Sequence, residues 1–234
     1  MATAVTTNAA AMQTGAKDYT AARRFMVDGQ IRTNKVTDER LIEALSDLPR
    51  ERFAPGAQRA RAYIDDDLPL GNDRFMMEPM VLARLVQALH VQPGQRVLVV
   101  GANTGYGAAL LASLGASVTA LESDSNLAEL ARAALAGSGA AVTVVTGPLQ
   151  EGHAVGGPYD AILIEGAVEE ISARLIDQLK LNGRLATVQR DAVGGVGRAM
   201  LLTRADKAAA GTRVLFDANT PLLPGFARAR TFAF

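Results

Sequence analysis

Past a start of small and polar residues, apolar positions recur at helical spacing between residues 19 and 54, where Phe25, Met26, Ile31, Leu41, Ile42, Leu45 and Leu48 form stripes. Thr37, just ahead of Arg40, is placed to cap the second helix of this stretch. Between residues 55 and 79 the pattern breaks into an acidic triplet, Asp65-Asp66-Asp67, a turn, Leu68-Pro69-Leu70-Gly71, and an apolar Phe75-Met76-Met77. A helix resumes over 80–90, and Pro93-Gly94 ends it. From residue 96 the pattern alternates, with strands at 96–100, 117–121, 142–146, 160–164 and 184–188 and helices at 105–114, 125–136 and 169–179. That alternation predicts a parallel sheet covered on both faces. Two further strands, 199–203 and 213–216, are spaced for an antiparallel hairpin. The expected fold is α/β and Rossmann-like: a mainly parallel, doubly wound sheet with an N-terminal helical extension and a C-terminal antiparallel hairpin. The expected divisions are a disordered start (1–18), the helical extension with its loop (19–90) and a nucleoside-binding domain (91–234).

The run Arg96-Val97-Leu98-Val99-Val100 stops abruptly at Gly101-Ala102-Asn103-Thr104-Gly105, and helix-forming residues follow from Tyr106. A buried strand ending in a glycine-bracketed turn at a helix start presents backbone N–H groups and the positive end of a helix dipole at the sheet's carboxyl edge. That setting suits a nucleotide-like ligand. Val118-Thr119-Ala120-Leu121-Glu122 repeats the strand pattern and ends in a carboxylate about 20 residues after the loop, where a ribose diol is gripped. The loop reads G-A-N-T-G rather than G-x-G-x-x-G and lies far from the chain's start, which favours S-adenosyl-L-methionine over a dinucleotide. Asn103 stands where a glycine would let a ligand approach the backbone, and asparagine tolerates the left-handed conformation such a turn needs.

Composition narrows the partners. The chain has 234 residues, 49% of them hydrophobic, enough for a sizeable core. Lys plus Arg equal Asp plus Glu at 24 each, so no global positive field recruits nucleic acid or anionic lipid. Cysteine is absent, which removes disulfides and thiolate chemistry and suits a reducing compartment. No apolar run reaches membrane-spanning length, so the expectation is a cytoplasmic protein with no nucleic-acid or membrane partner.

Several segments carry a resemblance in collinear order. They are Met26-Val27-Asp28-Gly29-Gln30-Ile31, Pro49-Arg50-Glu51-Arg52-Phe53-Ala54-Pro55, Leu68-Pro69-Leu70-Gly71, Gln92-Pro93-Gly94, Pro158-Tyr159-Asp160-Ala161-Ile162-Leu163-Ile164 and Gln178-Leu179-Lys180-Leu181-Asn182-Gly183-Arg184-Leu185. Together they resemble the protein-L-isoaspartate O-methyltransferases. The resemblance implies a class I methyltransferase with S-adenosyl-L-methionine as donor and a protein or peptide acceptor whose isoaspartyl-like carboxylate is esterified. It places the donor at Gly101, Asn103, Gly105, Glu122 and Gly147, with the ribose at Glu122.

The departures from that family matter as much. Its usual loop threonine and serine are Phe75 and Met77 here, the acid ending its first strand is Val99, and the Gly-Asp that approaches the adenine is Gly147-Pro148. Each hydrogen bond lost to a buried polar group costs about 1–3 kcal/mol. Two functions follow: an active carboxyl methyltransferase, or a divergent pseudoenzyme that keeps the fold as a binding module. A methyltransferase retargeted to a small molecule is a weaker third. Phe75-Met76-Met77 reads either as a loop folded onto the core or as an apolar acceptor pocket. Glu165 is a candidate acceptor-site residue, the alternative being a cap for a helix holding Glu169 and Glu170. Asp65 to Asp67 read as a solvated turn, His90 and His153 as structural, Arg23, Arg24 and Arg32 as solvated, and no metal site is expected. Periodicity leaves the oligomeric state open.

Overall fold

The structure, a computed structural model, describes residues 18–190, 195–206 and 210–228. Apart from Asp18, the disordered start expected over 1–18 lies outside them. A seven-stranded sheet forms the centre, in the order β5-β4-β3-β6-β7-β8-β9. Its strands are β3 (Arg96–Val100), β4 (Ser117–Glu122), β5 (Val142–Thr146), β6 (Tyr159–Val168), β7 (Leu179–Gln189), β8 (Arg198–Arg204) and β9 (Ala210–Asp217). The pairs from β5 to β7 are parallel, whereas β7-β8 and β8-β9 are antiparallel. Val97, Leu98, Val99 and Val100 are fully buried, as an unbroken apolar run in the middle of a two-sided sheet requires. The helices α3 (Pro79–Leu89), α4 (Tyr106–Ser113) and α5 (Ser125–Leu135) pack against it.

The expected elements are largely present, with instructive differences. Asp38, not Thr37, caps α2 (Glu39–Asp47): its carboxylate accepts from the Arg40 and Leu41 amides, while Thr37 N donates to Gln87 Oε1. A full carboxylate answers two orphan amides better than a hydroxyl. β6 runs to Val168, so Glu165 lies inside a strand. Helix α6 spans only Ala173–Asp177, which removes a helix over Glu169 and Glu170 for Glu165 to cap. Gly71 through Met77 is less irregular than its sequence suggests. Leu68–Gly71 (β1) pairs antiparallel with Arg74–Met76 (β2) around Asn72 and Asp73, both at positive φ, the geometry of a tight hairpin turn.

The N-terminal extension carries α1 (Thr20–Met26), which continues as a π-helical turn, Val27–Ile31, before α2. Met26, Val27, Ile31, Leu41, Ile42 and Leu45 join one core with α3, α4 and the sheet. Arg24 and Arg32 are exposed, but Arg23 is not the solvated cation expected: its side chain is 14% exposed, beside Glu51 and donating to Tyr63 Oη. Asp67 departs likewise from a solvated turn, because its carboxylate accepts from Glu78 N and Thr220 Oγ1 and burial raises its pKa. Among the described residues no group of His, Cys, Asp or Glu is arranged to hold a metal, and no helix is long and apolar enough to cross a membrane.

Candidate functional site

The parallel register brings the ends of β4, β3 and β6 together, and with them Glu122, the 101–105 loop and Glu165. Gly101, Asn103 and Gly105 all have positive φ, at 73°, 54° and 94°, so the chain folds back sharply before α4 starts at Tyr106. The expected turn is therefore present, and Asn103 takes up the left-handed conformation. Its amides are engaged within the chain: Gly101 N and Ala102 N donate to Leu121 O at 2.9 and 3.0 Å, and Gly105 N to Ala102 O at 2.8 Å. Asn103 N donates to Glu122 Oε2 at 2.7 Å. Gly147, just after β5, donates to Glu122 O at 3.0 Å and so shares this edge.

Glu122 is fully buried, and a residue that sequence reasoning missed holds it. Arg74, on the inward face of β2, donates from Nη1 to Glu122 Oε1, from Nη2 to Oε2 at 2.7 Å, and from Nη2 to Asn103 Oδ1 at 3.0 Å. The pair is two-pronged, with the side chains 2% and 0% exposed. Ser123 N and Asp124 N add bonds to Oε1 at 2.7 and 2.9 Å. The signal that could have found Arg74 is its position: an arginine at an inward place of a strand whose neighbours are apolar needs a buried anion. Leu223, also missed, lies over the same loop. A Cβ at Gly101 would meet its methyl groups at 3.1 Å, and one at Gly166 would collide with it.

Glu165 is 2% exposed, and burial pushes its carboxyl up to about 8, against the pull of Arg50 and Arg74. Gly107 makes room for it, since a Cβ there would collide with Glu165 Oε1. Arg50 is 1% exposed, donates to Ala62 O and Met77 O at 2.7 Å each, and stacks 4.8 Å over the Tyr106 ring. Burial lowers its pKa, opposed by Tyr106 and Glu165. Six of the eight buried side-chain atoms without a close hydrogen-bond partner among the described residues fall here: Arg50 Nη1, Arg74 Nε, Asn103 Nδ2, Thr104 Oγ1, Tyr106 Oη and Glu165 Oε1. Arg50 interacts with Tyr106 and Asn103 with Glu165, which leaves Arg74 Nε and Thr104 Oγ1 as the unanswered atoms of this buried polar cluster.

Met77 is 1% exposed and folds onto the core, whereas Phe75 is half-buried. Both line a crevice with Asp67, Glu165, Gly166 and Leu223, and its ≈10 Å³ leaves room for at most a single water. A larger groove of ≈610 Å³, lined by Tyr19, Phe53, Leu130 and Ala133, touches the loop only at Thr104 and does not include Glu122. Val99 is fully buried, and Pro148 precedes a helical turn, Leu149–Glu151. His90 takes the left-handed cap of α3, and His153 donates its amide to Gln178.

The left-handed loop, the strand-end carboxylate of Glu122 and a cluster of buried polar side chains thus meet at one edge of the sheet. In this conformation the trough itself does not fit a donor, because Arg74 takes both oxygens of Glu122 and Leu223 covers Gly101.

The family model for protein-L-isoaspartate(D-aspartate) O-methyltransferase matches residues 22–215. A protein-L-isoaspartate O-methyltransferase of Methylorubrum populi is 40% identical over 165 residues, 70% of this chain and 78% of the relative. One of Methanoregula boonei is 42% identical over 164 residues, 70% and 76% of the two chains. Among solved structures, a protein-L-isoaspartate O-methyltransferase superposes with a TM-score of 0.77 at 22% identity, covering 88% of this chain and 67% of its own. A putative enzyme of the same name from Plasmodium falciparum, in complex with S-adenosyl-L-homocysteine, gives 0.70 at 16% identity, covering 89% and 99%. The Rossmann-like fold and the collinear sequence match agree: this chain belongs to the protein-L-isoaspartate(D-aspartate) O-methyltransferase family.

Proposed function

We propose that this chain is an S-adenosyl-L-methionine-dependent carboxyl O-methyltransferase that acts on isoaspartyl-type carboxylates of proteins or peptides. Membership of that family over residues 22–215 carries the reading. The chemistry asks little general acid-base help, because a carboxylate is already a nucleophile at neutral pH. The protein's work is to position the acceptor and exclude water. In this reading Gly101, Asn103, Gly105, Glu122 and Gly147 frame the donor side, and Phe75, Met77 and Glu165 face the acceptor. At the near-closed crevice the hairpin positions Phe75 and Met77 supply no hydroxyl, and the one hydroxyl in the lining, that of Thr220, is already donated to Asp67. Glu165, neutral at pH 7 with its pKa near 8, would meet an acceptor carboxylate without repelling it.

A second reading is favoured by one observation, the buried Arg74–Glu122 pair: a binding module that keeps the fold without turnover. A radiolabelled methyl-transfer assay on an isoaspartyl peptide separates the two. Label transferred above the level of the aspartyl control peptide supports the enzyme. No transfer by either the wild-type chain or Phe75→Thr/Met77→Ser, with S-adenosyl-L-homocysteine binding intact, supports the module.

A further inference from the structure

We propose that Arg74 is an internal competitor of the donor's ribose diol for Glu122, so that the guanidinium must leave before a donor is gripped; this rests on the donor reading above. A carboxylate offers about four lone-pair sites. Here they face five N–H donors: Arg74 Nη1 and Nη2 and the amides of Asn103, Ser123 and Asp124. A diol hydroxyl can therefore reach Glu122 only if one of these withdraws. The three amides belong to the turns that end β3 and β4 and are fixed by the sheet. Arg74 alone comes from a separate element, the β1–β2 hairpin, and reaches Glu122 across 48 positions of sequence through a side chain that can rotate away.

Two further observations point the same way. Arg74 Nη2 also takes Asn103 Oδ1, tying the loop to the competitor, and Arg74 Nε has no partner. Arg74 Nη2 lies 3.3 Å from where a Cβ on Gly101 would stand, so the guanidinium rests on the loop's surface where a ligand would approach. It mimics the diol: two donors on one plane, aimed at the two carboxylate oxygens. The consequence is selection among ligands, since only one that brings its own paired hydroxyls compensates Glu122 for the loss of Arg74.

The test is calorimetric titration of wild type and Arg74→Gln with S-adenosyl-L-homocysteine, adenosine and 2′,3′-dideoxyadenosine. Arg74→Gln is expected to bind S-adenosyl-L-homocysteine and adenosine about ten- to a hundredfold more tightly than wild type, with no gain for the dideoxy nucleoside. Equal affinity in both proteins overturns the competition while leaving the donor reading intact. A gain for the dideoxy nucleoside as large as for adenosine overturns competition for the diol. Absence of binding in both proteins defeats the donor reading and the competition with it. Should Arg74→Gln not fold, hydrogen exchange on the wild-type chain decides. Saturating S-adenosyl-L-homocysteine is expected to speed exchange in the β1–β2 hairpin, and slower exchange there overturns the proposal.

Discussion

Two carboxylates stand at the carboxyl edge of one sheet, on either side of the 101–105 loop, and the protein treats them in opposite ways. At the end of β4, Glu122 is surrounded by donors, with a guanidinium on both oxygens and three backbone amides behind it. Within β6, Glu165 is equally buried but has an oxygen without a close hydrogen bond, with Asn103 as its polar neighbour, and its carboxyl is pushed up to about 8. Burial alone therefore does not fix a carboxylate's behaviour; the number of donors aimed at it does. Glu122 is fully engaged by Arg74 and the chain's own amides in this conformation, whereas Glu165 is a buried acid with few donors.

The contrast breaks most forcefully at Glu122. Glu122→Ala leaves Arg74 buried without its anion and is expected to destabilise the fold by about 3–5 kcal/mol in chemical denaturation. Removing the second charge while keeping an acceptor for the Asn103, Ser123 and Asp124 amides, Arg74→Met with Glu122→Gln, should recover part of that loss. A double variant no more stable than Glu122→Ala would deny that the pair is mutually compensating.

Next is the wall between the two acids. Met77 is sealed into the core, so Met77→Ala should cost about 2–5 kcal/mol, while Phe75→Ala, at a half-buried position, should cost clearly less. Thermal unfolding that ranks them the other way would place Phe75, not Met77, in the core.

The Glu165 side of the contrast is sharpened by pH. Its folded-state pKa of about 8 lies above the ordinary 4.5, so the folded chain holds a proton that the unfolded chain releases. That contribution to stability is fully present below about pH 4.5 and is lost as pH rises through 8. Glu78, raised to about 7 by burial and by Asp65, Asp67 and Asp66, adds the same sign. Stability should fall between about pH 4.5 and 8, and Glu165→Gln should flatten the fall by on the order of 1–3 kcal/mol. Parallel pH profiles for the two proteins would show that Glu165 is charged throughout.

The smallest effect is expected at an exposed pair. Lys180 holds Asp160 at 2.7 and 2.8 Å with 41% of the lysine side chain exposed, and Lys180→Met should change stability by less than about 1 kcal/mol. A loss comparable to that of Glu122→Ala would mean that geometry outweighs burial in this fold.

The alternating strands and helices were legible because burial on two faces leaves unbroken apolar runs such as Val97 to Val100, and glycine brackets the turn after them. Glu122 was legible for the same reason, standing at the end of such a run. Arg74 was not, because its partner lies 48 positions away and no period links a hairpin to a strand end. The sequence pattern ends this strand at 164, ahead of Glu165, whereas β6 continues to Val168 under the segment holding Leu223, whose amide donates to Ala167 O. The hairpin itself was hidden by Pro69, which suits an edge strand as well as a turn.

The space that Glu165 occupies is borrowed from Gly107, where even a methyl group would collide with the carboxylate. The two positions are therefore joined in descent as well as in space. A lineage that acquires a side chain at 107 has to shorten 165 in the same stretch of evolution, and one that lengthens 165 has first to empty 107. Homologues should show the two as a reciprocal exchange of volume across α4 and β6, with the acid at 165 found only beside glycine at 107.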